Sequence, residues 1–239
     1  MKKFLLALLF APLTAFASEH VHLDKAPVNL EDYASIQRGA KLFTNYCLSC
    51  HSANAMRYKR LEDVGLTADQ IKNNLMFATD KVGNTMSISM SQADAKLWFG
   101  AVPPDLSVIS RSRSPDWLYT YLRSFYRDDT RPTGWNNTVF EKVGMPFVLY
   151  GLQGEQILKE SANAEHDAHA KPELELVKPG SMTPAEYNAA VGDLVNYLTW
   201  MGEPAKIQRM EVGILVLLFL GLFFILAYYL KQEYWKDIH

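Results

Sequence analysis

The sequence predicts a mostly α-helical domain held outside the cytoplasm by a single transmembrane helix at its C-terminal end. Three observations lead there. Residues 1–17 have the three-part pattern of an export leader. The stretch Val212–Leu230 carries no charged side chain. Between them apolar residues recur at helical intervals, with no run of alternating strands and no internal repeat.

The leader is read from Lys2 and Lys3, the apolar run Phe4 to Phe10, and the A-x-A site Ala15-Phe16-Ala17. Its apolar part is too short to anchor in a bilayer, so the mature chain is expected to start at Ser18, beyond the cytoplasmic membrane. The charges nearly balance, 24 basic against 26 acidic for a net −2, and the pI is near 6.3. That excludes nucleic-acid binding through bulk positive charge. A mean hydropathy of −0.10 excludes a polytopic membrane protein.

Leu30, Tyr33, Ile36, Ala40, Phe43 and Cys47 repeat at three and four residues and predict a first helix, with Asn29 as its cap and Glu31 and Asp32 in its first turn. Thr183-Pro184-Ala185-Glu186 is a capping box with proline at the first helical position. It opens a second long helix whose apolar face is Tyr187, Val191, Leu194, Val195, Leu198 and Met201, stopped by Gly202 and Pro204. Trp200 falls off that stripe and is expected to pack elsewhere or near the membrane surface. Gly39 is expected to let the two helices approach closely.

Shorter helices are predicted between them. One is capped by Thr67 with Gln70 and runs into Ile71, Leu75 and Met76. Another follows Ser91, through Ala95 to Phe99. A third starts at Ser114-Pro115 and carries Trp117, Leu118, Tyr121 and Phe125. Glu155 to Lys178 is an insertion rich in acid, read either as a solvated loop or as a docking surface for a basic electron carrier.

At about 1.5 Å per residue, Val212–Leu230 covers a bilayer core. Tyr228, Tyr229, Tyr234 and Trp235 suit an interfacial belt. Lysines and arginines flank both ends, so the leader sets the orientation and puts the tail in the cytoplasm. The expected organisation is a leader (1–17), a periplasmic domain (18–205), an anchor with its lead-in (206–230) and a cytoplasmic tail (231–239).

The chemistry centres on Cys47-Leu48-Ser49-Cys50-His51, the C-x-x-C-H pattern of covalent haem c attachment. Two thiols at this spacing add across the two porphyrin vinyl groups, which holds the adjacent histidine against the iron. A redox dithiol usually stands in a βαβ setting that is missing here. A structural zinc site needs four ligands, and the remaining histidines are poorly spaced to complete one. One haem c is therefore the expected cofactor, and the only two cysteines are assigned to it rather than to a disulfide.

An electron-transfer haem is usually six-coordinate. Gly144-Met145-Pro146 is a methionine between helix-breaking residues, suited to presenting its sulfur from a loop; Met86 and Met90 stand behind it as alternatives. His51 needs an acceptor for its other ring N–H, and the carbonyls of Pro103-Pro104 are candidates. Arg111 and Arg113 read equally as haem propionate partners and as solvated surface charge.

These motifs, in this order, resemble the cytochrome c1 family, the haem-c subunits of ubiquinol–cytochrome c reductase (the cytochrome bc1 complex). The resemblance rests on Arg38-Gly39 before the haem motif, Met56-Arg57-Tyr58 after it, and Pro103-Pro104-Asp105-Leu106-Ser107 followed by Arg111 and Arg113. It continues through Gly144-Met145-Pro146 and Met201-Gly202-Glu203-Pro204-Ala205 to Tyr234-Trp235-Lys236. It implies a class I cytochrome c-like haem domain with long loop insertions plus one C-terminal transmembrane helix. It also implies a bacterial inner-membrane location, with His51 and Met145 as axial ligands and Arg113, with Arg111 beside it, on the propionates. The implied role is electron transfer from the Rieske iron–sulfur protein to cytochrome c, with the anchor beside cytochrome b. No acid–base or nucleophilic catalytic set is expected in this chain alone. Some members carry a further cysteine pair that this chain lacks. The same residues would also suit a free-standing anchored cytochrome c feeding an oxidase, or, with an open sixth position, a haem catalyst or gas sensor.

Overall fold

A computed structural model describes residues 22–159 and 173–237. The leader and the middle of the acidic insertion lie outside the described residues. The helices are α1 (Tyr33–Leu42), α2 (Ala68–Leu75), α3 (Gln92–Phe99), α4 (Ile109–Arg113), α5 (Pro115–Arg123), α6 (Tyr150–Gln153), α7 (Pro184–Gly202) and α8 (Lys206–Trp235). The strands are β1 (Ala53–Arg57), β2 (Thr85–Met86), β3 (Phe125–Arg127), β4 (Trp135–Asn137), β5 (Gly154–Leu158) and β6 (Leu174–Pro179), paired in order as three antiparallel ribbons.

The architecture is mostly helical, as expected, but the ribbons are an addition. Strands this short offer too few residues for alternation to register. The base of the acidic insertion is one of them: β5 and β6 pair from Gly154 with Pro179 to Leu158 with Leu174. Its carboxylates are matched by local cations, Glu155 by Lys178 and Arg127, Glu173 and Glu175 by Lys159.

The crossing of α1 and α7 organises the domain. A Cβ on Gly39 would lie inside the backbone carbonyl of Asp193 and 2.7 Å from Tyr197 Cβ, so only glycine permits this approach. Arg38 grips the Asp193 side chain with a fork, Nε to Oδ2 at 2.6 Å and Nη2 to Oδ1 at 2.8 Å. Ile36, Ala40 and Phe43 of the first helix and Val191, Leu194, Val195 and Leu198 of α7 are buried in the same core. The capping box of α7 forms as read, Glu186 N–H donating to Thr183 Oγ1 and Thr183 N–H to Glu186 Oε2.

Three local expectations change. The cap of α1 is Asp32, which accepts the Ser35 N–H at 2.9 Å. Asn29 instead exchanges two hydrogen bonds with the Asn196 side chain, its N–H at 3.1 Å and its carbonyl at 2.7 Å. Trp200 is buried near Tyr197, because α7 is enclosed on most of its circumference. The third short helix ends at Arg123, leaving Phe125 in β3, where its ring stacks on Phe147 at 4.8 Å. The predicted caps at Thr67, Ser91 and Ser114 all form.

No residue of α8 is buried, and its apolar surface faces outward on every side. At about 1.5 Å per residue its 30 residues run roughly 45 Å, longer than a bilayer core of about 30 Å. An exposed apolar surface of this size marks a membrane or protein interaction face, and the helix is long and apolar enough to cross a bilayer.

Candidate functional site

The α1 helix does not stop before the cysteines. It widens into a π-helical turn, Phe43–Cys47, in which the Leu48 N–H reaches back to the Phe43 carbonyl at 3.0 Å. Insertions of this kind are frequent at functional sites. The turn closes on the motif, where the Cys50 and His51 N–H groups both donate to the Cys47 carbonyl at 3.1 and 2.8 Å. Cys47, Cys50 and His51 are thus tied into one compact knot. No disulfide joins the two cysteines, and burial, with Cys50 adding, pushes the Cys47 thiol up to about 12. A reactive dithiol has the opposite perturbation, a depressed thiol. Among the described residues no group of three or more His, Cys, Asp or Glu side chains converges as a metal site.

His51 Nδ1 lies 2.8 Å from the Pro104 carbonyl oxygen. A carbonyl only accepts, so Nδ1 carries the proton and Nε2 keeps its lone pair. Burial lowers the His51 pKa, with the Pro104 bond and the Asp105 charge opposing. The carbonyl is held in place by a strap. Asp105 Oδ2 accepts from the Asn54 N–H at 2.8 Å, and Asp105 Oδ1 accepts from the Ser107 N–H at 2.8 Å. Leu106 N–H donates to the Ser52 carbonyl at 2.8 Å, and Ala55 N–H donates to Ser107 Oγ at 3.0 Å. The segment after His51 and the segment after Pro104 are therefore laced together. Burial works against the Asp105 carboxylate, but the bonds from Ser107 and Asn54 outweigh it and hold its pKa below the ordinary range.

The strap leads directly into α4 and α5, which bring a second group together. Arg113 stands over the Trp117 ring at 5.2 Å, and Trp117 stacks on Tyr121 at 4.7 Å. Tyr121 Oη donates to Met145 Sδ at 3.4 Å. Met145 is half-buried in a loop pinned on both sides by buried Val143 and Phe147. Burial pushes the Tyr121 phenol well above its usual range, so it remains a donor. Ser114, between the two helices, has a φ of 78° yet caps α5 by accepting the Trp117 N–H at 3.2 Å.

Met86, the first alternative to Met145, is fully enclosed in the core, its sulfur accepting from Tyr197 Oη at 3.3 Å. Met90 is partly buried in the segment before α3. Arg111 and Arg113 are exposed, and neither guanidinium has a hydrogen-bond or carboxylate partner among the described residues. The Arg111 stem packs beside Gly202 at the end of α7. The Tyr58 hydroxyl is buried with no hydrogen-bond partner among the described residues. Sequence reasoning missed the work of Asp105, Ser107 and Tyr121. An Asp followed two residues later by Ser is an Asx-turn signal, and Arg113, Trp117 and Tyr121 share an i, i+4, i+8 spacing.

A C-x-x-C-H turn with an oriented histidine, on a helical domain carrying one exposed apolar helix, fits the class of membrane-anchored electron-transfer haem proteins. The chain belongs to the cytochrome c1 family, whose model, described as "Cytochrome C1 family", matches residues 24–238. It is 49% identical to "Cytochrome c1" of Allochromatium vinosum, over the whole of both chains. It is 50% identical to the "Ammonia monooxygenase gamma subunit" of Nitrosomonas europaea, over 100% of this chain and 99% of that one. A chain of the solved structure "Hyperthermophilic respiratory Complex III" overlays all of this chain and 96% of its own, at a TM-score of 0.46 and 16% identity. The family implies a haem c cofactor.

Proposed function

We propose that this chain is the haem-c subunit of a bacterial ubiquinol–cytochrome c reductase, taking electrons from the Rieske iron–sulfur protein and passing them to a cytochrome c. The observation that carries the reading is the bond from His51 Nδ1 to the Pro104 carbonyl, which fixes the imidazole and leaves Nε2 as a metal ligand. When bound, haem c supplies a one-electron couple.

The residues fit one such group. Cys47 and Cys50 form the thioethers, and His51 binds iron through Nε2. Met145 would be the sixth ligand: it is only half-buried in its loop, whereas Met86 is enclosed in the core with its sulfur bonded to Tyr197. The unpaired guanidiniums of Arg111 and Arg113 neutralise the propionates. The buried Tyr58 hydroxyl, with no hydrogen-bond partner among the described residues, suits a pocket that receives a further polar group. A thioether and a neutral imidazole together would favour the reduced iron, which suits an electron acceptor of fairly high potential.

The domain from Ser18 to Ala205 stands in the periplasm, the leader (1–17) is removed, and the anchor packs beside cytochrome b with the tail 231–239 in the cytoplasm. Purification of the full-length chain from its membrane tests this. Copurification with cytochrome b and a Rieske protein, and a c-type reduced-minus-oxidised spectrum, are expected. A stable monomer lacking both partners would favour the free-standing carrier, and copurification with an oxygenase would follow the name of the Nitrosomonas relative. Ready binding of carbon monoxide to the reduced protein would contradict a six-coordinate electron-transfer site.

A further inference from the structure

We infer that Tyr121 is a positioning residue for the sixth ligand, its phenol holding one lone pair of Met145 Sδ so that the other would be left for the iron and the couple would be raised in potential. The inference rests on the reading of Met145 as axial ligand.

A thioether sulfur has two lone pairs directed apart. In the structure Tyr121 Oη occupies one of them at 3.4 Å. The contact is not an incidental one at a mobile surface. Tyr121 is buried, stacked on Trp117 at 4.7 Å on one side and met edge-on by Phe125 at 4.9 Å on the other. Phe125 in turn stacks on Phe147, two residues from Met145. The donor and the loop that carries the acceptor are therefore referenced to the same aromatic cluster.

The electronic consequence has a definite sign. Oxidised iron draws more density from the sulfur than reduced iron does, so the sulfur is the poorer hydrogen-bond acceptor in the oxidised state. The Tyr121 bond then stabilises the reduced form more, and raises the potential. A neutral hydrogen bond is modest in net terms, and a difference of about half its strength between the two states changes the ratio of reduced to oxidised protein on the order of threefold. For a one-electron couple that corresponds to about 30 mV.

The test compares three variants of the full-length holoprotein in its membrane. Tyr121→Phe keeps the ring and its stacking and removes only the hydroxyl. Its midpoint potential is expected to fall, with the reduced-to-oxidised ratio at a fixed poise down about threefold. The sulfur-to-iron charge-transfer band is expected to shift or weaken. Tyr187→Phe is the structural control, because that hydroxyl donates at 2.7 Å to the Leu122 carbonyl, next to Tyr121, and touches no sulfur. It should destabilise the domain while leaving potential and band in place. A Tyr121→Phe protein with unchanged potential and unchanged band, or an equal fall in Tyr187→Phe, overturns the inference and leaves the ligand assignment standing. Met145→Leu separates the two failures: if that variant keeps the band, the ligand assignment itself is wrong.

Discussion

The Pro104 carbonyl oxygen is 2.8 Å from His51 Nδ1, although 53 residues separate them in sequence. The Pro103-Pro104 segment presents the acceptor, and Asp105 and Ser107 lace it to the strand that follows His51. The histidine is therefore oriented by the backbone of a distant loop, and the loop is oriented by a carboxylate.

Asp105→Ala removes an acceptor that serves two backbone N–H groups. At this exposed position the cost is about 1 kcal/mol of domain stability. A raised midpoint potential is expected beside it, because an imidazole whose N–H loses its fixed acceptor is a less basic ligand and favours the reduced iron. Urea unfolding of the holoprotein and a redox titration measure the two effects. A variant that matched the parent in both would remove the strap from the account.

The same carboxylate gives a pH dependence with a fixed sign. Its folded pKa is depressed below the ordinary value. The stability it contributes is thus present above its unfolded pKa of about 3.9, and is lost as pH falls through the lower folded value. Below about pH 4 the parent should lose stability more steeply than Asp105→Asn. Parallel acid-unfolding curves would contradict this.

Gly39→Ala should destabilise by about 1–3 kcal/mol or prevent folding, because the new methyl group meets the Asp193 backbone rather than a movable side chain. Arg38→Ala, which breaks an ion pair whose arginine is largely exposed, should cost under about 1 kcal/mol. Thermal melts of the two variants should rank them in that order.

Ser114 offers a contest between two effects. Ser114→Gly loses the cap at a cost of a few tenths of a kcal/mol but relieves a left-handed φ that costs about 1 kcal/mol or more. The net expectation is stabilisation of about 0.5–1 kcal/mol. Ser114→Ala loses the cap and keeps the strain, and should destabilise by about 1 kcal/mol. The opposite ranking in denaturant melts would mean that the backbone here is not strained.

Much of this was legible in the sequence, for reasons that can be named. The Thr183 capping box, the Gly39 approach and the Pro104 acceptor depend on local chemistry or on the adjacent histidine, and each formed as read. What escaped depends on distant partners. Asn29 reads as a cap until Asn196, 167 residues away, claims its backbone groups. Trp200 looks stray on a helical wheel because nothing local says that α7 is surrounded. The Tyr121–Met145 pair joins a helix to a loop through an aromatic cluster, and no periodicity encodes it. Ribbon strands of two to six residues fall below the length at which alternation is visible.

The central claim is that a haem attached at Cys47 and Cys50 is ligated by His51 and Met145. It is tested most directly by the oxidised absorption spectrum of full-length Met145→Leu protein. The account predicts that haem stays covalently attached on a denaturing gel while the sulfur-to-iron charge-transfer band disappears. A variant that keeps both the haem and the band would contradict it and return the sixth position to Met86 or Met90.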